Sequence, residues 1–296
     1  MPVIELSHVS FRYGGDRKLG GKALEDISLT VDKGEFVAIV GENGSGKSTL
    51  VQHMNGLLCP DEGEVTVLGG KTSDARHRSG LWRRVGLLFQ YPERQLFEET
   101  VIRDVSYGLR NMGIHESEAA ERAAEALALA GLDAEKVGFL SPLALSGGQR
   151  RRAAFAGILA MRPEILILDE PTAGLDGPGR SGLLSLIKRL QKEMGCTVVM
   201  VSHSIREAGL LADRLFLLSG GKLAAAGQPG ETLAGIGSNG LDECILPEYM
   251  QVLWRLAKRG FPVNPQVASR EEALEQLLTL IREGAYEGSK AGTIQQ

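Results

Sequence analysis

Residues 41–49 read Gly41-Glu42-Asn43-Gly44-Ser45-Gly46-Lys47-Ser48-Thr49 and fit G-x-x-x-x-G-K-[ST], the loop pattern that holds a nucleoside triphosphate. The apolar stretch Phe36–Val40 before the loop reads as a buried strand, and Thr49–Asn55 after it as a helix start. That strand–loop–helix setting is what the pattern needs to be more than a string match. The glycines let backbone N–H groups turn inward around phosphate oxygens, and the helix N-terminus adds its positive end. In such a cradle Lys47 reaches the β- and γ-phosphates and the Ser48 hydroxyl ligates Mg²⁺. Taken alone, the same residues also fit a glycine-rich turn that binds nothing.

The carboxylates that such a site needs come much later. Ile165-Leu166-Ile167-Leu168 is a short, fully apolar run ending in Asp169-Glu170. A run of this kind suits a central parallel strand covered on both faces, and open α/β sheets place ligands at the C-terminal ends of such strands. Asp169 is then placed to hold Mg²⁺ through its water shell, and Glu170 to polarise an attacking water. Two solvated acids at a strand end are the bland alternative, favoured only where no nucleotide loop accompanies them.

A third element lies between these two. Leu145-Ser146-Gly147-Gly148-Gln149 precedes a helix-like segment, Arg150–Met161. Ser146 is a good N-cap, and Gly147 and Gly148 let the backbone approach an anion closely. A second phosphate-binding helix end is redundant in one chain unless it serves another chain's nucleotide. With this motif the sequence resembles the ATP-binding cassette family, in which LSGGQ is the signature.

The resemblance runs from about Val3 to Gly227 and implies roles for further residues. Tyr13 matches the aromatic that stacks on adenine. Gln90, after the strand-like Val85–Phe89, matches the Q-loop glutamine that completes the Mg²⁺ and γ-phosphate surroundings. Ala173-Gly174-Leu175-Asp176 matches the D-loop, and His203, after the strand-like Thr197–Val201, matches the switch histidine. Alone, Tyr13 reads as a strand aromatic, Gln90 as a surface polar residue and His203 as a structural histidine; their order around the three strong motifs reverses those readings. The implied fold is α/β, with a RecA-like P-loop core, an antiparallel β subdomain, an inserted helical subdomain and a small helical C-terminal module. The implied cofactors are ATP and Mg²⁺. Arg150-Arg151-Arg152, three charges on one helix turn, reads as a solvated face and not as a nucleic-acid footprint.

The chain has 296 residues and a formal net charge of −4, with no basic excess that would point to nucleic acid. Three scattered cysteines, Cys59, Cys196 and Cys244, follow no metal spacing and fit a reduced cytosolic protein. The N-terminus lacks a signal-peptide core, and no apolar run approaches the roughly 20 residues that span a bilayer.

The motifs divide the chain into an ATPase domain over residues 1–228 and a module over 229–296. Val3–Tyr13 and Leu24–Val31 have the alternation of an antiparallel subdomain, joined by the polar loop Gly14–Lys22. The segment from about Tyr91 to Leu145 is a helix-rich insert, with Glu116–Ala130 its clearest helix. In the C-terminal module Met250, Leu253, Trp254 and Ala257 lie at helical spacing within Pro247–Lys258, and Gly260 reads as a stop. Ser269 to Glu272 forms a capping box ahead of Ala273, Leu274, Leu277, Leu278 and Ile281. These stripes are expected to pack on the ATPase domain or on another subunit, with Glu287–Gln296 a disordered tail.

One stretch narrows the subtype. Gln90-Tyr91-Pro92-Glu93-Arg94-Gln95-Leu96-Phe97-Glu98-Glu99-Thr100-Val101 resembles the Q-loop extension of energy-coupling factor ATPases, as do Ala156–Met161 and the insertion between Tyr13 and Ala23. That resemblance implies uptake of vitamins or of cobalt and nickel ions. Two ATPase subunits, identical or different, would sit on the cytoplasmic face of the membrane. Above them would stand a transmembrane coupling subunit and a membrane substrate-binding subunit, with Pro92, Glu93 and Leu96 passing closure to the coupling subunit.

Two cassettes would close head to tail, each ATP lying between one chain's Lys47 loop and the other's Ser146–Gln149. The ATPase of a binding-protein-dependent importer and a soluble non-transport cassette ATPase are the alternatives. Lys47 and Ser146 are only about 100 residues apart with no sustained heptads, which argues against the coiled-coil type that acts on DNA ends.

Overall fold

Alternation along the strands organises two sheets and three cores. The computed structural model describes residues 1–14, 21–234, 248–265, 267 and 270–290. Strand β1 (Pro2–Phe11) pairs antiparallel with β2 (Leu24–Asp32), and β2 buries every second residue from Ile27 to Val31, as period two requires of a half-covered sheet. Strands β4 (Glu62–Val67) and β5 (Gly70–Lys71) extend the other edge to give the order β2-β1-β4-β5.

The second sheet is six-stranded. Its strands are β3 (Phe36–Gly41), β6 (Val85–Leu88), β7 (Ile165–Asp169), β8 (Thr197–Ser202), β9 (Arg214–Ser219) and β10 (Lys222–Gly227), in the order β10-β9-β3-β8-β7-β6. All neighbours are parallel except the β9–β10 hairpin, whose Gly220-Gly221 turn takes positive φ at both residues. Every residue of β3, β7 and β8 is buried, which accounts for their unbroken apolar runs.

The helices are α1 (Lys47–Met54), α2 (Ala75–Gly80), α3 (Val101–Asn111), α4 (Glu116–Leu129), α5 (Ala134–Val137), α6 (Gly147–Ala160), α7 (Gly177–Met194), α8 (Ile205–Leu211), α9 (Pro229–Ala234), α10 (Glu248–Lys258) and α11 (Arg270–Lys290). On one face of the six-stranded sheet, Val37, Ile39, Ile165, Ile167, Val199 and Val201 share a core with Leu50, Val51 and Met54 of α1 and with the antiparallel sheet. On the opposite face, Leu166, Leu168, Val198 and Met200 share a core with Val105 and Leu109 of α3, Ala123 and Leu127 of α4, Phe155 and Leu159 of α6, and Ile187 of α7. Alanines 119, 123 and 126 give α4 a thin face that lets it lie against α3 and α6. A third core joins Ala38, Val40, Leu215 and Leu217 to α8, α10 and α11.

Four expectations change. The helix after the nucleotide loop begins at Lys47, two residues before Thr49, because Ser48 and Thr49 already form its first turn. The arginine run is a solvated face only in part: Arg152 is exposed and Arg150 half-buried, whereas Arg151 is buried on the stripe it shares with Phe155 and Leu159 and donates to Glu93, Pro171 and Ala173. The second C-terminal stripe is only half buried: Ala273 is inside and Leu277 partly so, whereas Leu274, Leu278 and Ile281 are exposed. Helix α11 continues through Lys290, so the tail expected from Glu287 is helical over its first residues. The expected cap at Ser269, most of the Gly14–Lys22 loop, and residues 291–296 lie outside the described residues.

Helix α10 is well anchored. Met250 and Leu253 fill the third core, and the chain turns at Gly260 (φ 86°), with Phe261 N–H donating to Leu256 O at 3.1 Å. Leu253→Ala is expected to destabilise the protein by about 2–5 kcal/mol. The exposed Leu278→Ala should stay within about 0.5 kcal/mol of the parent. Urea unfolding of the two variants checks this, and equal effects would mean that α10 is not docked on Val40 and Leu217.

Candidate active site

The nucleotide loop is shaped by backbone that passes too close for any side chain. A Cβ on Gly41 would stand 2.2 Å from the Leu218 carbonyl oxygen, and one on Gly46 2.5 Å from that of Ala23. Both residues also take positive φ, at 154° and 99°. Gly46 is the N-cap of α1 and offers no side-chain acceptor, so the first-turn N–H groups, including those of Ser48 and Thr49, stay directed into the loop. Asn43 and Gly44 are exposed at its tip, and Gly44 too takes positive φ.

Lys47 is 5 % exposed, and its ammonium donates to the carbonyls of Gly41 at 2.8 Å and Glu42 at 2.7 Å. Those bonds hold the charge at the loop mouth and leave one of its three donors for a phosphate oxygen. Burial pushes the Lys47 ammonium below its ordinary pKa, while the Glu170, Asp169 and Glu42 carboxylates oppose the shift.

Strand β7 carries Asp169 and Glu170 to the same edge. Burial pushes the Asp169 carboxyl up, opposed by its hydrogen bond to the Ser48 hydroxyl and by the Lys47 charge. Asp169 Oδ1 is buried with no hydrogen-bond partner, and so is Ser45 Oγ. An orphaned carboxylate oxygen beside a serine hydroxyl is a donor set for a hard, oxygen-seeking cation, so the residues fit Mg²⁺.

Glu170 is held from two sides. Gln90 Nε2 donates to Glu170 Oε2 at 2.7 Å, and His203 Nε2 contacts Glu170 Oε1. Gln90 follows β6 and His203 follows β8, the two strands that flank β7, which is why residues so far apart in sequence converge. Because its N–H faces Glu170, the carbonyl end of the Gln90 amide is the one left for a cation. The backbone is strained here: Glu170 has φ of 50° and the residue after Gln90, Tyr91, has φ of 58°. Non-glycine residues hold such conformations only where their surroundings over-determine them, and this happens mostly at functional sites.

Tyr13 lies just beyond β1, half exposed, with its hydroxyl 3.1 Å from Thr49 Oγ1 and its ring edge-on to Phe11 at 5.0 Å. It therefore stands beside the first turn of α1, with ring surface open to a ligand.

The remaining candidates lie elsewhere. Ser146 and Gln149 close a reciprocal cap on α6: Gln149 N–H donates to Ser146 Oγ at 3.3 Å, and Ser146 N–H to Gln149 Oε1 at 2.9 Å. Gly147 and Gly148 have open space where a Cβ would point. Asp176 caps α7 by accepting from Gly179 N–H at 2.9 Å. Helices α6 and α7 pack on the face of the sheet opposite α1. The structure thus brings together Lys47, Ser48, Gln90, Asp169, Glu170 and His203, and does not bring Ser146–Gln149 or Asp176 to them.

Sequence reasoning missed two groups. Arg151 is one, and its spacing of four and eight residues from Phe155 and Leu159 was the available signal. The other is Glu207 on α8, buried with Thr172 Oγ1 at 2.9 Å and Arg180 at 3.3 Å, which ties the segment after Glu170 to α8. Of the three residues expected to pass closure to a coupling subunit, Pro92 is buried, Glu93 is half-buried and pairs with Arg151, and Leu96 packs partly buried against the core.

Residues 24–173 match the family model described as ABC transporter. The chain is 42 % identical over 261 residues to the energy-coupling factor transporter ATP-binding protein EcfA2 of Clostridium perfringens, covering 88 % of this chain and 92 % of that one. It is likewise 42 % identical over 289 residues to the protein of the same name from Caldanaerobacter subterraneus, covering 95 % and 98 %. Among solved structures, cbiO1 from Clostridium perfringens, part of the ABC transporter complex cbiONQ, superposes with a TM-score of 0.72 at 34 % identity, over 88 % of this chain and 97 % of that one. A dimeric post-hydrolysis ATP-binding cassette with bound ADP and Pi superposes with a TM-score of 0.68 at 33 % identity, over 76 % and 98 %.

Proposed function

The chain belongs to the ABC transporter family, and from that premise we propose that it is the ATP-binding and ATP-hydrolysing subunit of an energy-coupling factor importer. It would act from the cytoplasmic face of the cell membrane and energise uptake of a vitamin or a transition-metal ion. The observation that carries the hydrolytic part is the Glu170 carboxylate, held by Gln90 and His203 at the strand end that also presents Asp169. Its relatives' names support the subtype, at 42 % identity over nearly the whole chain.

In this reading Tyr13 stacks on the adenine, and the loop from Gly41 through Asn43, Gly44, Ser45 and Gly46 to Thr49 wraps the phosphates with N–H donors. Lys47 offsets charge on the β- and γ-phosphates. Ser48, Asp169 and the Gln90 carbonyl hold Mg²⁺, which when bound neutralises the phosphate oxygens. Glu170 orients the water that attacks the γ-phosphorus and draws off its proton as the bond to the β-phosphate oxygen breaks. Gln90 and His203 keep the carboxylate aimed, and His203 also reaches the γ-phosphate. Positioning and electrostatics supply most of the rate gain, since phosphoryl transfer asks little covalent chemistry of a protein.

The signature segment Ser146–Gln149 and the D-loop residue Asp176 stand on the other face of the sheet from α1, so they serve a second ATPase chain, identical or different. Each ATP is then closed between one chain's Lys47 loop and its partner's signature, and loss of the γ-phosphate reopens the pair.

Among the described residues no helix is long and apolar enough to cross a membrane, and in this reading transmembrane partners supply the pathway. These would be a coupling subunit and a substrate-binding subunit, the latter setting the solute. With Pro92 buried and Glu93 and Leu96 partly so, the outward aromatic residues near the Q-loop include Tyr91 and the pair Phe97 and Tyr107, edge-to-face at 4.9 Å. Phe139 and Leu140 lie close by, because Val101 N–H donates to Leu140 O at 3.0 Å. This exposed patch fits a hydrophobic partner, and the negative net charge gives no reason to expect nucleic acid.

Lys47→Ala should abolish tight Mg-ATP binding by calorimetry. Glu170→Gln should keep the affinity and slow hydrolysis by roughly a hundredfold or more. Wild-type turnover in Glu170→Gln would remove Glu170 from the water-activating role. For the subtype, Phe97→Ser with Tyr107→Ser should cut solute uptake by the reconstituted complex at least about tenfold. The ATPase of the isolated chain should meanwhile stay within about twofold, since neither residue touches the nucleotide residues. Unchanged uptake would place the coupling contact elsewhere.

A further inference from the structure

Arg151 is a buried arginine that makes four hydrogen bonds beside the site, yet no part of the hydrolytic scheme uses it. It is 6 % exposed on the second turn of α6, immediately after the signature cap. Its Nε donates to Glu93 Oε2 at 3.2 Å and one terminal nitrogen to Glu93 Oε1 at 3.3 Å, a two-pronged carboxylate pair. The other terminal nitrogen donates to the carbonyls of Pro171 at 3.3 Å and Ala173 at 2.7 Å. Burial works against the Glu93 charge, but the Arg151 hydrogen bond and its positive charge hold that carboxyl below its ordinary pKa.

The positions of these partners matter more than their number. Glu93 lies two residues beyond the strained Tyr91, and Pro171 and Ala173 lie one and three beyond the strained Glu170. The Gln90–Glu170 hydrogen bond joins the same two chain segments on their other side. One guanidinium therefore ties the Glu93 side chain, downstream of Tyr91, to the backbone downstream of Glu170, and so bridges the two segments across which Gln90 meets Glu170. A lysine could not replace it, because a point charge with freely rotating donors does not span a carboxylate and two carbonyls in one plane.

We propose that Arg151 is a positioning residue for hydrolysis: through Glu93 and the carbonyls of Pro171 and Ala173 it sets the Gln90–Glu170 geometry and links it to the signature helix. The inference rests on the reading of Glu170 as the water-orienting group. Arg151 itself touches neither nucleotide nor water in this scheme. Because α6 starts at the signature, movement of Ser146–Gln149 when a second chain docks is carried by the same helix to the Glu170 segment.

The test is single-turnover hydrolysis of pre-bound Mg-ATP by the full-length chain, compared among wild type, Arg151→Gln, Arg151→Lys, Glu93→Gln and Glu170→Gln. In this experiment the amplitude reports the fraction of competent protein and the rate constant reports positioning. Arg151→Gln should lower the rate constant roughly tenfold to a hundredfold, with amplitude and ATP affinity within about twofold of wild type. Arg151→Lys should recover only part of that loss, and the double variant with Glu93→Gln should be no slower than Arg151→Gln alone, because the residues act as one unit.

If Arg151→Gln does not fold, Glu93→Gln decides, since it leaves the guanidinium on the two carbonyls: a rate constant at least about threefold lower supports the proposal. A rate constant near wild type in either folded variant, or a loss confined to amplitude, overturns it. A normal rate in Glu170→Gln would instead overturn the underlying reading of Glu170, so the two failures are distinguishable.

Discussion

The architecture depends on a five-residue strand buried on both faces. In β7, Ile165 and Ile167 enter the core that holds α1 and the antiparallel sheet, whereas Leu166 and Leu168 enter the core that holds α3, α4, α6 and α7. Period two leaves no freedom in this, since a slip of one residue would exchange the two sets. The strand therefore fixes which helices lie on which side, and delivers Asp169 and Glu170 at the edge where the Lys47 loop opens. The separation of signature and nucleotide loop follows from the same alternation.

Charge is concentrated where water is scarce. Lys47 and Asp169 are both buried, and burial shifts each toward its neutral form while their mutual attraction opposes the shift. An unpartnered Asp169 oxygen and two left-handed residues at Tyr91 and Glu170 are costly in a resting fold. The surroundings meet that cost with specific anchors: the loop carbonyls on Lys47, Ser48 on Asp169, Gln90 and His203 on Glu170, and Arg151 behind them. A cation and a triphosphate would relieve what these anchors only hold in place.

Much of this was legible because it is local. Phe36–Val40, Ile165–Leu168 and the Glu116 helix announce themselves within a few residues, and Gly41–Thr49 and Leu145–Gln149 carry their own backbone requirements. Arg151 was legible only as far as its spacing from Phe155 and Leu159, which puts it on their stripe; its partners, Glu93 and the carbonyls of Pro171 and Ala173, lie on other segments that no local pattern joins to it. The pairing of Glu93 was not legible for the same reason, its partner lying on α6. Leu274, Leu278 and Ile281 have the spacing of a buried stripe, but the surface that α11 meets takes only Ala273 and part of Leu277. The Gln90–Glu170–His203 cluster depends on strand order, which no local pattern encodes.

The central claim is that the nucleotide site is completed by another chain's signature helix, and sedimentation in Mg-ATP tests it most directly. Glu170→Gln chains should associate into dimers with Mg-ATP and separate without it. Adding Ser146→Arg should abolish that association while leaving the ATP affinity of the monomer unchanged, because Ser146 is on the far face of its own sheet. A Ser146→Arg chain that binds ATP poorly as a monomer, or that still dimerises with ATP, would contradict the account.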